Sequence, residues 1–183
     1  MLKVIGLDIS SATVGWSVME YDDSSYSLLE YGHIKPLPSK RGSLAVRAAA
    51  YMSEISDLLT DKSPDFVAIE GYASRFSKGR SSARTIIVLS VFNELTSVAS
   101  IKSLKIEPVS YAVSTIRSSI GKLFGSKVVS KEDAFILIKD NFKTFSLRFK
   151  RTGRIKDECY DEADAIAVAL THIYKERLTW QKT

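Results

Sequence analysis

A single cysteine, Cys159, in 183 residues excludes an internal disulfide and any zinc cluster built on cysteine ligands, so a reducing compartment is expected. Prolines number only four and no repeat or low-complexity tract occurs, which excludes collagen-like and disordered classes. Long apolar runs are scarce as well. The best of them, Thr85 to Phe92 and Ala163 to Tyr174, fall short of the roughly 20 residues a membrane helix needs. Asp8 stands where a secretory signal would carry its apolar stretch. The expectation is a cytoplasmic protein without a membrane partner.

What the chain does contain is 45% hydrophobic and 10% aromatic residues over a length suited to one domain, expected to span residues 1–183. Charge is unevenly spread. Arg75 to Arg84 carries four basic residues and no acid, and Lys143 to Lys156 carries six and no acid. With a net charge of +5, the remainder of the chain is therefore acidic by about five charges. Two purely basic segments on an otherwise acidic chain suit a polyanion held at a defined place, although lysine-rich solvated loops give the same composition.

The order of elements is that of a mixed α/β domain. Lys3 to Ile9 reads as a buried strand, Val14 to Tyr21 as an alternating one, and Tyr26 to Lys35 as a third, ended by Pro36 and Pro38. Ser43 caps a helix from about Leu44 to Leu59, and Pro64 precedes a short apolar strand, Asp65 to Glu70. A helix over about Ser81 to Ser100, a strand over Lys105 to Val109 and helices over Tyr111 to Ser119 and Ser130 to Asn141 follow. The second of these short helices is capped by Ser130 with Asp133 at its third position. A final helix begins near Tyr160. Antiparallel strands followed by strands joined through helical crossovers predict a mixed five-stranded sheet flanked by helices, with the later strands parallel.

Carboxylates fall at telling places in this order. Asp8 and Glu70 each end an apolar strand, and Asp161 with Asp164 opens the last helix, where residues three apart share one face. Hydrolysis of a phosphodiester needs an activated water and neutralisation of the leaving oxygen, which two divalent ions roughly 3.5–4 Å apart supply. Magnesium takes oxygen ligands, so acids from distant parts of the chain are the residue types such a site requires, and manganese is expected to substitute. Each acid alone has a plainer explanation, as a first-turn helix residue or a strand-end partner for a lysine. Their coincidence in one order favours a metal site. His172 lies about three turns along the last helix from Asp161, roughly 16 Å away, and is not expected to share a metal with it. Cys159 reads as a small buried residue.

Gly6-Leu-Asp8-Ile-Ser-Ser-Ala-Thr-Val-Gly15-Trp, Val67-Ala-Ile-Glu70-Gly-Tyr72 and Asp161-Glu-Ala-Asp164-Ala-Ile-Ala-Val-Ala-Leu-Thr-His172 resemble the three acidic motifs of RuvC-type Holliday junction resolvases. The resemblance implies an RNase H-like fold, a homodimer and paired nicks in opposed strands of a four-way DNA junction, with two magnesium ions per site and no small-molecule cofactor. Asp8, Glu70, Asp161 and Asp164 match the catalytic tetrad, as metal ligands. Arg117 and Lys131 are the best matches for the family's basic residues, with Lys127 competing for the second position. Lys131 beside the metals would stabilise charge on the phosphate. After Glu70 an aromatic residue stacking on bases is implied, with Tyr72 and Phe76 both in place. Arg75, Lys78, Arg80 and Arg84 would flank the metals as phosphate contacts. Arg151 and Arg154, in the second basic segment, are DNA contacts on charge alone.

Two other readings remain. An RNase H-like protein acting on structured RNA would keep the same acids. An actin-like or sugar-kinase ATPase shares a first strand of the type Asp8 to Gly15, but needs a second phosphate loop and a longer chain.

Overall fold

The computed structural model describes residues 1–71 and 83–180. Strands β1 (Leu2–Ile9), β2 (Val14–Tyr21) and β3 (Tyr26–Ile34) form the antiparallel meander, and β4 (Phe66–Glu70) and β5 (Val109–Tyr111) add to it in parallel. The sheet order is β3-β2-β1-β4-β5. This is the expected mixed five-stranded sheet.

Strand alternation divides the sheet into two faces. On one, Ile5, Leu7, Ile9, Val14, Val18, Val67 and Ile69 pack against helices α1 (Leu44–Lys62) and α2 (Ala83–Leu104). On the other, Val4, Met19, Tyr21 and Ala68 pack against α3 (Val113–Leu123), α4 (Lys131–Asn141) and α5 (Asp157–Trp180). Each such aliphatic side chain taken fully out of water is worth about 1.5–3 kcal/mol, so both layers are held chiefly by apolar burial.

Local signals explain most boundaries. Ser43 accepts a hydrogen bond from the Val46 amide, and Ser63 closes α1 in the left-handed region (φ 43°) just ahead of Pro64. Ser130 and Asp133 make the reciprocal capping box at α4.

Three boundaries differ from the sequence-based expectation. α2 runs on to Leu104 and is closed by Lys105 at φ 63°, so the strand expected at Lys105 to Val109 starts only at Val109. Pro108, which has no amide to donate to a ladder, fits the entry to β5 and not its middle. α3 is consequently displaced to Val113–Leu123. α5 opens at Asp157, with Asp157 and Glu158 in its first turn, so Asp161 and Asp164 sit one turn further inside it than expected. The extension of α2 also alters the membrane reading: Thr85–Leu104 is long and apolar enough, by length and composition, to cross a bilayer. Here that helix packs on α1, with Tyr51 stacked on Phe92 at 4.5 Å and its hydroxyl 2.7 Å from Thr96 Oγ1.

Candidate active site

Parallel pairing of β1 with β4 sets Leu7 opposite Ile69, so the next residues of each strand, Asp8 and Glu70, emerge side by side at the carboxyl ends of the two central strands. Both point to the α5 face, because they share the alternation of Gly6 and Ala68. α5 can reach them because glycine removes the side chains between. A Cβ on Gly15 would lie 2.0 Å from the Asp161 carbonyl oxygen, and one on Gly6 would lie 2.3 Å from that of Ala165. The helix therefore rests directly on strand backbone, where Ser17 Oγ donates to the Ala165 carbonyl at 3.0 Å.

That close seating brings the helix pair to the strand acids. One carboxylate oxygen from each of Asp8, Asp161 and Asp164 lies within 4.8 Å of the others. Glu70 lines the same cleft of about 170 Å³, together with Asp8, Asp164, Arg117 and Lys131. Lys131 arrives from the first turn of α4. Phe135, one turn further on, stacks on Tyr160 of α5 at 4.2 Å, which holds the start of α4 over the acid pair. The Lys131 ammonium is 2.6 Å from Asp164 Oδ2. Arg117 Nη1 is tied to the Val129 carbonyl at 3.0 Å, and Arg117 lines the cleft beside Glu70.

Asp8, Glu70 and Asp164 in one cleft, with Asp161 close to Asp8 and Asp164, resist ionising together. Burial, then the charges of Glu70 and Asp164, raise the Asp8 pKa well above the usual carboxylate range. Burial and the Asp164 charge push Glu70 up to about 7. Asp161 and Asp164 are raised mainly by burial, against the opposing charge of Lys131. Burial opposes the Lys131 ammonium too, but Asp164, Asp8 and Asp161 outweigh it and its pKa rises. An anionic oxygen cluster that already draws one cation into itself fits hard divalent ions, for which oxygen is the preferred donor.

The structure thus brings together Asp8, Glu70, Asp161, Asp164, Lys131 and Arg117. Of the two lysines, Lys131 is at the acids, whereas Lys127 lies beside a separate cleft of about 550 Å³ that Arg117 and Lys122 also line. Tyr72, Arg75, Phe76, Lys78 and Arg80 lie outside the described residues. So does the side chain of Arg84, whose backbone is in the first turn of α2. His172 is away from the acids. It is buried, 3.0 Å from the Tyr111 hydroxyl, and burial lowers its pKa to about 4.

The second basic segment is only partly a free surface. Arg151 and Arg154 are exposed on a turn closed by the Lys150 amide on the Arg154 carbonyl. Lys150 pairs with Asp157, and Arg148 with Glu162, whose Oε1 also meets His33 Nδ1 at 2.7 Å. Glu162 is fully buried. Sequence reasoning missed this cluster. Its signal is helical phase, since residue 162 falls with 165, 166 and 169 on the sheet-facing side of α5 and an acid there needs partners.

Among known proteins, the profile of the family described as Crossover junction endodeoxyribonuclease RuvC matches residues 4–172. A relative of that description from Finegoldia magna is 27% identical over 185 residues, covering 98% of this chain and 97% of its own. One from Fusobacterium nucleatum is 38% identical over 69 residues, covering 38% of this chain and 35% of its own. In fold, the chain resembles Thermus thermophilus RuvC in complex with Holliday junction substrate, with TM-score 0.72 and 17% identity over 98% of this chain and 97% of that one. It also resembles the yeast mitochondrial Holliday junction resolvase, with TM-score 0.69 and 12% identity over 96% of this chain and 80% of that one.

Proposed function

This chain belongs to the RuvC family of crossover junction endodeoxyribonucleases, and from that premise we propose that it resolves four-way DNA junctions by paired symmetric nicks. The single observation that carries the reading is the convergence of Asp8, Asp161 and Asp164 within 4.8 Å, beside Glu70 and Lys131. The family reading makes the enzyme dependent on divalent metal. Two magnesium ions per site are proposed, held by Asp8, Glu70, Asp161 and Asp164, with manganese able to replace them. When bound, such ions supply the nucleophile at neutral pH and stabilise charge on the leaving oxygen.

The protein's own groups do the rest. Lys131 presents a cation to the phosphate at the point where negative charge grows. Arg117, braced by its bond to the Val129 carbonyl, holds the strand at the edge of that cleft. Arg151 and Arg154 offer exposed charges to the backbone of an adjoining arm. Tyr72 or Phe76 stacks on bases, and Arg75, Lys78, Arg80 and Arg84 contact phosphates beside the acids. A homodimer, in which two sites address the two-fold arrangement of a junction, is part of the proposal, as are a single nuclease domain and a cytoplasmic location on DNA. No observation favours the structured-RNA or the kinase-like reading.

Purified protein with magnesium, offered a synthetic four-way junction, a linear duplex and a structured RNA, tests this. Symmetric nicks in the junction, lost in Asp8→Asn, are expected. Cleavage of the RNA alone, or equal cleavage of linear duplex, would overturn the reading.

A further inference from the structure

Between Tyr31 and Ser53 the chain carries Lys35, Lys40, Arg41 and Arg47 and no acid. Three of these cations are exposed, but Arg47, in the first turn of α1, is only 5% exposed. Its Nε donates to the Leu37 carbonyl at 2.6 Å and its Nη2 to the Ser11 carbonyl at 3.2 Å, while the guanidinium lies over the Phe92 ring. Among the described residues no carboxylate pairs with it, and Nη1 makes no hydrogen bond. A neutral amide would satisfy two carbonyls without the cost of burying a charge; a buried cation facing only neutral dipoles is poised for an anion from outside.

The opening for that anion is present. Arg47 lines a cleft of about 440 Å³ with the hydroxyl-bearing residues Ser11, Ser39 and Thr85, and among the described residues no carboxylate lines it. Lys40 and Arg41, both exposed, follow Ser39 in a single 3-10 turn. Ser11 follows Asp8 by three residues, a chain distance of at most about 10 Å. Ser11, which lines the cleft, and Asp8, which lines the acid cluster, therefore lie at the same edge of the sheet.

We propose that this cleft is a second phosphate site, in which Arg47, assisted by the Ser11, Ser39 and Thr85 hydroxyls, grips one backbone phosphate of the DNA strand that enters the acid cluster. The proposal rests on the junction-nuclease reading and adds where the strand is held outside the reacting centre.

The test uses full-length protein carrying Asp8→Asn, so that binding is read without cleavage. Four-way junctions each bearing one neutral methylphosphonate, placed at successive positions near the scissile phosphate, are titrated at salt concentrations from about 50 to 200 mM. One position should cost several-fold in affinity. That cost should vanish when Arg47→Met or Ser39→Glu is added, and each addition should lessen the salt slope by about 0.9, the contribution of one phosphate. Ser39 is exposed and bonds neither Arg47 nor its carbonyl partners, so Ser39→Glu decides the matter if Arg47→Met does not fold. An unchanged methylphosphonate profile and salt slope in folded Ser39→Glu protein would overturn the proposal. Failure of the junction reading itself shows separately, as absence of nicking by the unsubstituted protein.

Discussion

The ammonium of Lys131 stands 2.6 Å from Oδ2 of Asp164 and 3.6 Å from Oδ1 of Asp161. A side chain from α4 thus already lies where cations are wanted, and it has two uses: to balance the acids, and to meet the phosphate that approaches them. The second use predicts a separation between binding and chemistry. Lys131→Met should slow single-turnover nicking roughly 10²–10³-fold, the usual loss when one charge-stabilising group is removed. Junction affinity should fall only a few-fold, since one of many phosphate contacts is gone. An equal loss in both measurements would make Lys131 an anchoring residue instead.

The raised pKa of Glu70 gives a stability prediction with a definite sign. Its value moves from 4.5 to about 7, first through burial and then through the Asp164 charge. Between those two values the folded state holds the proton more tightly than the unfolded chain, so stability falls as pH rises through this window. Glu70→Gln removes the titration. In metal-free protein the substitution should change Tm little near pH 4.5 and raise it progressively up to about pH 7, corresponding to a few kcal/mol at most. Taking the difference between variant and parent at each pH cancels the opposite trend from His172, whose lowered pKa costs stability as pH falls below 6.5. A Tm difference that is flat with pH would contradict the assignment. Added magnesium should reverse the sign above pH 7, where the ionised carboxylate becomes a ligand.

How much of this was legible beforehand depends on the range of the interaction. Asp8 and Glu70 announce themselves as acids ending apolar strands, and Asp161 with Asp164 as a same-face pair, because strand and helix periods are local properties of the chain. Ser43 and Ser130 likewise cap their helices as read. The β5 boundary differs from the expected one because Lys105 adopts a left-handed conformation that its residue type does not signal. The sequence does not separate Lys131 from Lys127, because the stacking of Phe135 on Tyr160 that seats α4 joins distant segments. The partners of Glu162 were hidden for the same reason: His33 is 129 positions away.

Gly15 belongs to this second kind, and substituting it tests the seating of α5. A Cβ there would lie 2.0 Å from the Asp161 carbonyl oxygen, and neither strand nor helix backbone can yield without moving the other. Gly15→Ala should destabilise the protein by roughly 2–4 kcal/mol, in the range of severe overpacking. It should also slow nicking well below the melting transition by about 100-fold, because an ångström of displacement at Asp161 is enough to spoil a reacting geometry. Thermal unfolding and nicking measured on the same preparation check both. Retained activity in the folded fraction would mean that the acids tolerate a lifted helix.

The basic hairpin separates into residues that hold the fold and residues left for DNA. Arg148 bonds Glu162, an acid with no exposure, while keeping part of its own side chain in water. Removing it leaves a buried carboxylate with His33 as its remaining partner, so Arg148→Ala should cost about 1–3 kcal/mol, below the full cost of breaking a buried pair because the arginine is partly solvated. Arg151 and Arg154 make no ion pair among the described residues and sit exposed beyond the Phe149–Ile155 bridge. Their alanine variants should leave the unfolding free energy within about 0.5 kcal/mol of the parent. Each should lower the salt slope of junction binding by about 0.9 if it touches one phosphate. Chemical denaturation and salt titration of the three variants therefore sort the segment residue by residue. A slope unchanged in both Arg151→Ala and Arg154→Ala would remove the hairpin from the DNA contacts and leave it as a clamp on α5.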